Sequence, residues 1–166
     1  MWSGWLSSSR QAANGRHLFR ILDDTLLGTR LPAIRLGIRT KEAAHPKFYF
    51  FDVGVARAAA GWIRETMPEE WRGFAFETLL LGELRAFNAY RRKEKRLFHY
   101  TVSNSFDIDF LVETQKKILN RPARYVAIEA KAARHWRHEW SEPLHLLVGN
   151  QMITAAYGVY LGTKRM

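Results

Sequence analysis

A chain of 166 residues without a cysteine has no disulfide framework, no thiolate metal site and no cysteine nucleophile. Its formal charge of +10 is spread along the sequence, which points to an anionic partner, most often nucleic acid, although a basic surface also serves plain solubility. A hydrophobic fraction of 47% is enough for the core of one or two small domains, and no apolar run reaches bilayer-spanning length.

The opening Met1-Trp2-Ser3-Gly4-Trp5 lacks a basic stretch followed by an apolar one, so no signal peptide is expected and a cytoplasmic location is the default. Residues 1–15 carry little pattern. From Arg16 to Asp24, Leu18, Phe19, Ile21 and Leu22 have helical spacing. Leu26 to Ile38 reads as extended, with Pro32 keeping it irregular or at an edge. After a basic turn over 41–46, Lys47-Phe48-Tyr49-Phe50-Phe51 is a strand signal, and Asp52 is placed to cap a short helix over 53–60. This helix-and-wing order over 16–60 suits a partial winged-helix segment. Residues 61–72, with Pro68 and Glu69-Glu70, read as a linker.

Gly73 opens the second unit, 73–166. Phe74, Phe76, Leu79, Leu80, Leu84 and Phe87 predict one amphipathic helix over 73–90, bearing Glu77 and Glu83. A basic turn, Arg91 to Arg96, ends it. Strands are expected at 97–102, 106–114, 123–132 and 157–162, with a weak helix over 136–148 before the last. The resulting order is α-β-β-β-α-β.

The two middle strands carry the chemistry. Phe106-Asp107-Ile108-Asp109-Phe110 and Ile128-Glu129-Ala130-Lys131 both alternate, so Asp107 and Asp109 share a face, Phe106, Ile108 and Phe110 the other, and Glu129 and Lys131 a face of their own. An antiparallel register with Asp109 beside Glu129 centres the turn on Leu119, next to Asn120-Arg121-Pro122, and sets Asp107 beside Lys131. Three carboxylates and an ammonium would then converge. Hard divalent cations want such oxygens, and an ion there polarises a phosphoryl oxygen and acidifies a bound water. The plain alternative is a solvated hairpin with a cross-strand salt bridge. Elsewhere, His135 and His138 could ligate a metal from one helix face or form a basic surface, and Trp136 and Trp140 read as packing residues. The absence of G-x-x-x-x-G-K-[ST] excludes P-loop ATP hydrolysis by this chain.

The order α-β-β-β-α-β, with Asp109 on the second strand and Glu129-x-Lys131 on the third, resembles the restriction-endonuclease-like PD-(D/E)xK phosphodiesterase fold. A closer resemblance rests on five segments in order: 21–28, 46–55, 73–84, 107–110 and 127–132. Together they resemble the DUF4143 region of prokaryotic AAA+-type ATPases, in which a P-loop ATPase leads through a winged helix into a PD-(D/E)xK-like domain. The resemblance implies that Asp109 and Glu129 ligate magnesium or manganese, that Lys131 assists the attacking water, and that Glu77 is the extra acidic ligand. Asp107 is adjacent. In a nuclease-like domain, Arg91, Arg92, Lys93 and Lys95 would grip phosphates. The implied activity is metal-dependent DNA cleavage by a remnant lacking the ATPase; a non-catalytic DNA-binding or partner-docking module is the alternative. DNA is the expected partner. A homodimer, or docking to a full-length ATPase relative, would cover apolar surface left by the missing parts.

Overall fold

A computed structural model describes residue 17 and residues 19–37, 45–102 and 106–163. Residues 1–15 and most of the basic turn at 41–46 lie outside them. Helical residues 19–24 form α1, followed by β1 (Gly28–Leu31) and β2 (Lys47–Phe50), an antiparallel pair with Gly28 opposite Phe50. A side chain at Gly28 has no room, since a Cβ there would meet the Phe48 ring at 2.1 Å. Asp52 accepts the Val55 N–H at 3.0 Å and starts α2 (Val53–Ala59), as its position predicts.

Helix α3 spans Glu69–Tyr90, four residues more than the apolar spacing indicates. Pro68 stands at its N-cap, Glu69 and Glu70 favour the positive end of the helix dipole, and Trp71 packs between Trp62 and Phe74. The expected linker is thus partly helical. Of the expected stripe, Phe74, Phe76, Leu80 and Leu84 pack on the core, whereas Leu79 and Phe87 are exposed. The most buried positions are Leu81 and the polar Thr78, whose hydroxyl bonds back to the Phe74 carbonyl at 2.8 Å.

Strands β3 (Leu97–Val102), β4 (Phe106–Gln115), β5 (Arg124–Lys131) and β6 (Ile153–Tyr160) form one mixed sheet in that order. The first three are antiparallel, and β6 runs parallel to β5 after a crossover through a 3-10 turn (His138–Ser141) and α4 (Glu142–Val148). From α3 onward the order is therefore α-β-β-β-α-β, and the chain is a mixed α/β protein with a four-stranded sheet and a small antiparallel one. The weak helix at 136–148 divides into two pieces, and β6 begins at Ile153 rather than at 157. Its first half, Ile153-Thr154-Ala155-Ala156, lacks the aromatic signal of Tyr157 to Tyr160 but pairs with β5.

The β4–β5 register matches the expected one: Phe110 pairs with Ile128 and Val112 with Val126. The tip is Leu119, at φ 48°, between mutual backbone bonds joining Ile118 and Arg121. The expected alternation along β4 holds from Phe106 to Asp109, with Phe106 and Ile108 toward one core and Asp107 and Asp109 toward Lys47, and breaks at Phe110. Phe98 pairs with Leu111 but Tyr100 with Ile108, so β4 holds one extra residue opposite His99. This bulge at Asp109-Phe110 shifts the phase of the strand. Ile108 and Leu111 enter one core with Tyr100, Ala127, Leu144 and Leu147, on the α4 side. Phe110 enters the other with Leu31, Tyr49, Leu81, Ile128 and Ala130, under α3 and the β1–β2 hairpin. Complete burial of Phe110 and Leu111 contributes roughly 1.5–3 kcal/mol each. The hairpin and the later segment thus share a core, and Ala33 bridges β3 at His99. Among the described residues no helix is long and apolar enough to cross a membrane.

Candidate active site

Regular β4–β5 pairing ends at Phe110 and Ile128. Beyond it the Ala130 N–H donates not to a backbone carbonyl but to the Asp109 carboxylate, at 2.9 Å. Asp109 therefore takes the place of a ladder partner where the strands part, and it is 5% exposed. Glu129, 4% exposed, precedes that amide, and its Oε1 accepts from the Lys131 ammonium at 2.5 Å. Among the described residues its Oε2 is buried without a hydrogen-bond partner, which is costly for a charged oxygen.

Glu77 enters from α3. Its Oε2 accepts from the Tyr49 hydroxyl at 2.8 Å, and Tyr49 is fixed between the rings of Phe74 and Phe110. Strand β2 also supplies Lys47, whose Nζ lies 2.5 Å from Asp107 and 3.6 Å from Asp109. Asp107 is not paired with Lys131, because the β4–β5 ladder ends at Phe110 and Ile128; on its other edge Asp107 lies opposite Thr101 of β3. The Thr101 hydroxyl donates to Asp107, and His99 Nδ1 lies 3.2 Å from that hydroxyl. The other nitrogen, Nε2, faces the His45 carbonyl at 3.0 Å and must carry the proton, since a carbonyl only accepts.

The electrostatics follow from crowding acids in a dry place. Burial, and then the Asp109 charge, push the Glu129 carboxyl up to about 7 against the pull of Lys131. Glu77 is raised by burial and by Asp109, against the Tyr49 bond and Lys47. Burial also raises Asp109, opposed by the Ala130 N–H and both lysines. Burial alone would lower the Lys47 and Lys131 ammonium groups, but Asp107 and Glu129 respectively hold them above the ordinary lysine value, so both stay charged. Burial and Glu77 raise the Tyr49 phenol, which stays a donor. Burial lowers His99, which favours the neutral ring.

The structure thus gathers Asp109, Glu129, Lys131 and Glu77, and adds Lys47, Tyr49, Thr101 and His99, which the sequence reading did not select. It does not bring the basic turn to them. Arg91, Arg92 and Lys93 are exposed and Lys95 is half-buried, at the far end of α3. Fourteen residue steps along the helix separate Glu77 from Arg91, about 21 Å at 1.5 Å each. Nor do His135 and His138 share a helix face, because helical structure starts at His138. Trp136 packs on Trp140 and Tyr160 and donates to the Ser141 hydroxyl at 2.8 Å.

Among the described residues no three His, Asp or Glu side chains are grouped to hold an ion as they stand. Lys47 lies against Asp107 and Asp109, and Lys131 against Glu129. The donor set nevertheless suits a hard cation. With Glu77, Asp107, Asp109 and Glu129 all ionised, as a bound cation would favour, the cluster less two ammonium charges would carry a twofold negative charge, and Glu129 Oε2 has no partner among the described residues.

With this geometry in place, the family comparison has a structural counterpart: residues 72–166 match the domain of unknown function DUF4143. The chain belongs to the DUF4143 family. The matched stretch holds Glu77, Asp107, Asp109, Glu129 and Lys131; Lys47 and Tyr49 precede it. No curated protein and no solved structure matches the chain.

Proposed function

We propose that the chain is a metal-dependent DNA phosphodiesterase of restriction-endonuclease-like topology. One observation carries this reading: Asp109, Glu129, Lys131 and Glu77 converge where β4 and β5 part, with one buried Glu129 oxygen left unbonded. The α-β-β-β-α-β order and the charge of +10 support it. Asp109, Glu129 and Glu77 would hold magnesium or manganese. The bound ion would polarise a phosphoryl oxygen and acidify a water. Lys131, charged and 2.5 Å from Glu129, would donate hydrogen bonds to that water or to the developing negative charge. Tyr49 keeps Glu77 oriented. Arg91, Arg92, Lys93 and Lys95 would contact backbone phosphates without reading sequence. About 21 Å corresponds to roughly six base-pair steps, so one duplex would have to cross the molecule lengthwise to reach both.

One observation favours a second reading, a DNA-binding or partner-docking module without catalysis. Two lysines already neutralise part of the acidic cluster. A plasmid-cleavage assay in magnesium or manganese separates the two. Asp109→Asn is the better control, because alanine would also remove the acceptor of the buried Ala130 N–H, at a cost of about 1–3 kcal/mol. Nicking by the wild type that is lost in Asp109→Asn supports the nuclease. Cleavage that persists in Asp109→Asn refutes the site, and DNA binding without cleavage supports the module.

A further inference from the structure

We propose that Lys47 is a second substrate-contacting cation of this site, supplied by the hairpin that precedes the family-matched segment. The assignment of the pocket to a DNA phosphate rests on the nuclease reading; the placement of Lys47 does not. Strand β2 alternates, so Lys47 and Tyr49 point one way and Phe48 and Phe50 the other. The Phe48 ring meets Phe19 at 4.8 Å and Phe50 at 5.4 Å, away from the acids. Tyr49, 2% exposed and bonded to Glu77, locks the strand, and this fixes Lys47 two residues away.

The burial of the partners gives Lys47 its direction. The Asp109 side chain is 7% exposed, that of Lys47 28% and that of Asp107 42%. Lys47 therefore stands between the more exposed Asp107 and the buried Asp109, at the edge of the cluster. Lys131 is placed similarly on Glu129, its side chain 32% exposed over one that is 6% exposed. Two partly exposed lysine side chains thus lie against two buried acids. A phosphodiester approaching Asp109 and Glu129 would be repelled by both and needs positive charge on each side. Lys131 supplies one side and Lys47 the other. Its partly open position keeps the ammonium hydrated and leaves it within reach of a phosphate arriving from solvent.

The test is the salt dependence of binding to a short fluorescein-labelled duplex, with calcium in place of magnesium. Each phosphate contact adds about 0.9 to the slope of log K against log salt. Lys47→Gln should lower that slope by about 0.9, and Lys47→Arg should restore it. An unchanged slope in Lys47→Gln overturns the proposal. If Lys47→Gln fails to fold, acetylation of wild-type lysines followed by mass spectrometry decides: the duplex should protect Lys47, and equal labelling with and without DNA overturns it. Cleavage by the wild type and by Asp109→Asn is read in parallel. Binding without cleavage refutes the nuclease alone, and the slope still decides on Lys47. No binding by the wild type overturns both.

Discussion

Glu129→Gln should make the protein's stability less sensitive to pH, and the size of the effect follows from where the carboxyl lies. Moving its titration from the ordinary 4.5 to about 7 favours the neutral form in the fold by roughly 3 kcal/mol, at about 1.4 kcal/mol per tenfold. Below 4.5 the carboxyl is protonated in both folded and unfolded chains, and nothing is lost. Between 4.5 and about 7 the unfolded chain releases the proton while the folded chain keeps it, so stability falls as pH rises. Above that window the whole penalty is in place. Glutamine has nearly the same shape and no charge to desolvate. Its altered hydrogen bonding to Lys131 adds an offset that does not vary with pH and cancels when two pH values are compared. Urea unfolding of both proteins in EDTA at about pH 5 and about pH 8 should show the variant gaining up to ~3 kcal/mol relative to wild type. Asp109 couples to Glu129 and is raised as well, so the gain is spread over the window rather than centred on one pH. A difference that stays constant between those two pH values refutes a desolvated, partly protonated Glu129.

Two further predictions test the surroundings of the site. A Cβ on Gly158, which pairs with Glu129 across β5 and β6, would lie 2.4 Å from the Trp136 ring, so Gly158→Ala should cost about 1–3 kcal/mol in urea unfolding; an unchanged midpoint contradicts the packing of Trp136 on β6. Burial lowers His99, so its folded value lies below 6.5, and the stability held by the neutral ring is lost as pH falls through that range. NMR titration of the His99 imidazole should give a midpoint below 6.5; one at or above it contradicts a buried neutral ring.

Local chemistry made much of this fold legible. The β4–β5 register followed from placing Asp109 opposite Glu129 and finding a turn at the midpoint, and Leu119 does take the left-handed conformation there. Asp52 announced α2 for an equally local reason. The bulge was not legible. Phe-Asp-Ile-Asp-Phe reads as strict alternation, and the extra residue opposite His99 is fixed by two cores competing for Ile108, Phe110 and Leu111. Lys47 was missed because sixty positions separate it from Asp107. A signal was nonetheless present: in Lys47-Phe48-Tyr49-Phe50 the two residues with polar ends share one face and the two plain rings the other. That pattern suits a strand lying between a hydrophobic layer and a polar site.

The bulge also accounts for how acids come to be buried here. A regular ladder would satisfy the Ala130 N–H with backbone. The irregularity instead lets the Asp109 carboxylate take that role, bringing an anion beside Glu129. The fold accepts the penalty because two lysines offset part of it, and the remainder appears as raised carboxyl values on Glu77, Asp109 and Glu129. A cation that binds only the folded chain would relieve that remainder. At a hundredfold excess over its Kd it would stabilise the fold by about 2.7 kcal/mol. That is comparable with the roughly 3 kcal/mol held against the fold by Glu129 alone. Instability without metal and affinity for metal would therefore be linked through the same carboxylates. Residues that weaken the free protein at high pH are those expected to hold the ion, and Glu129→Gln should reduce both effects together.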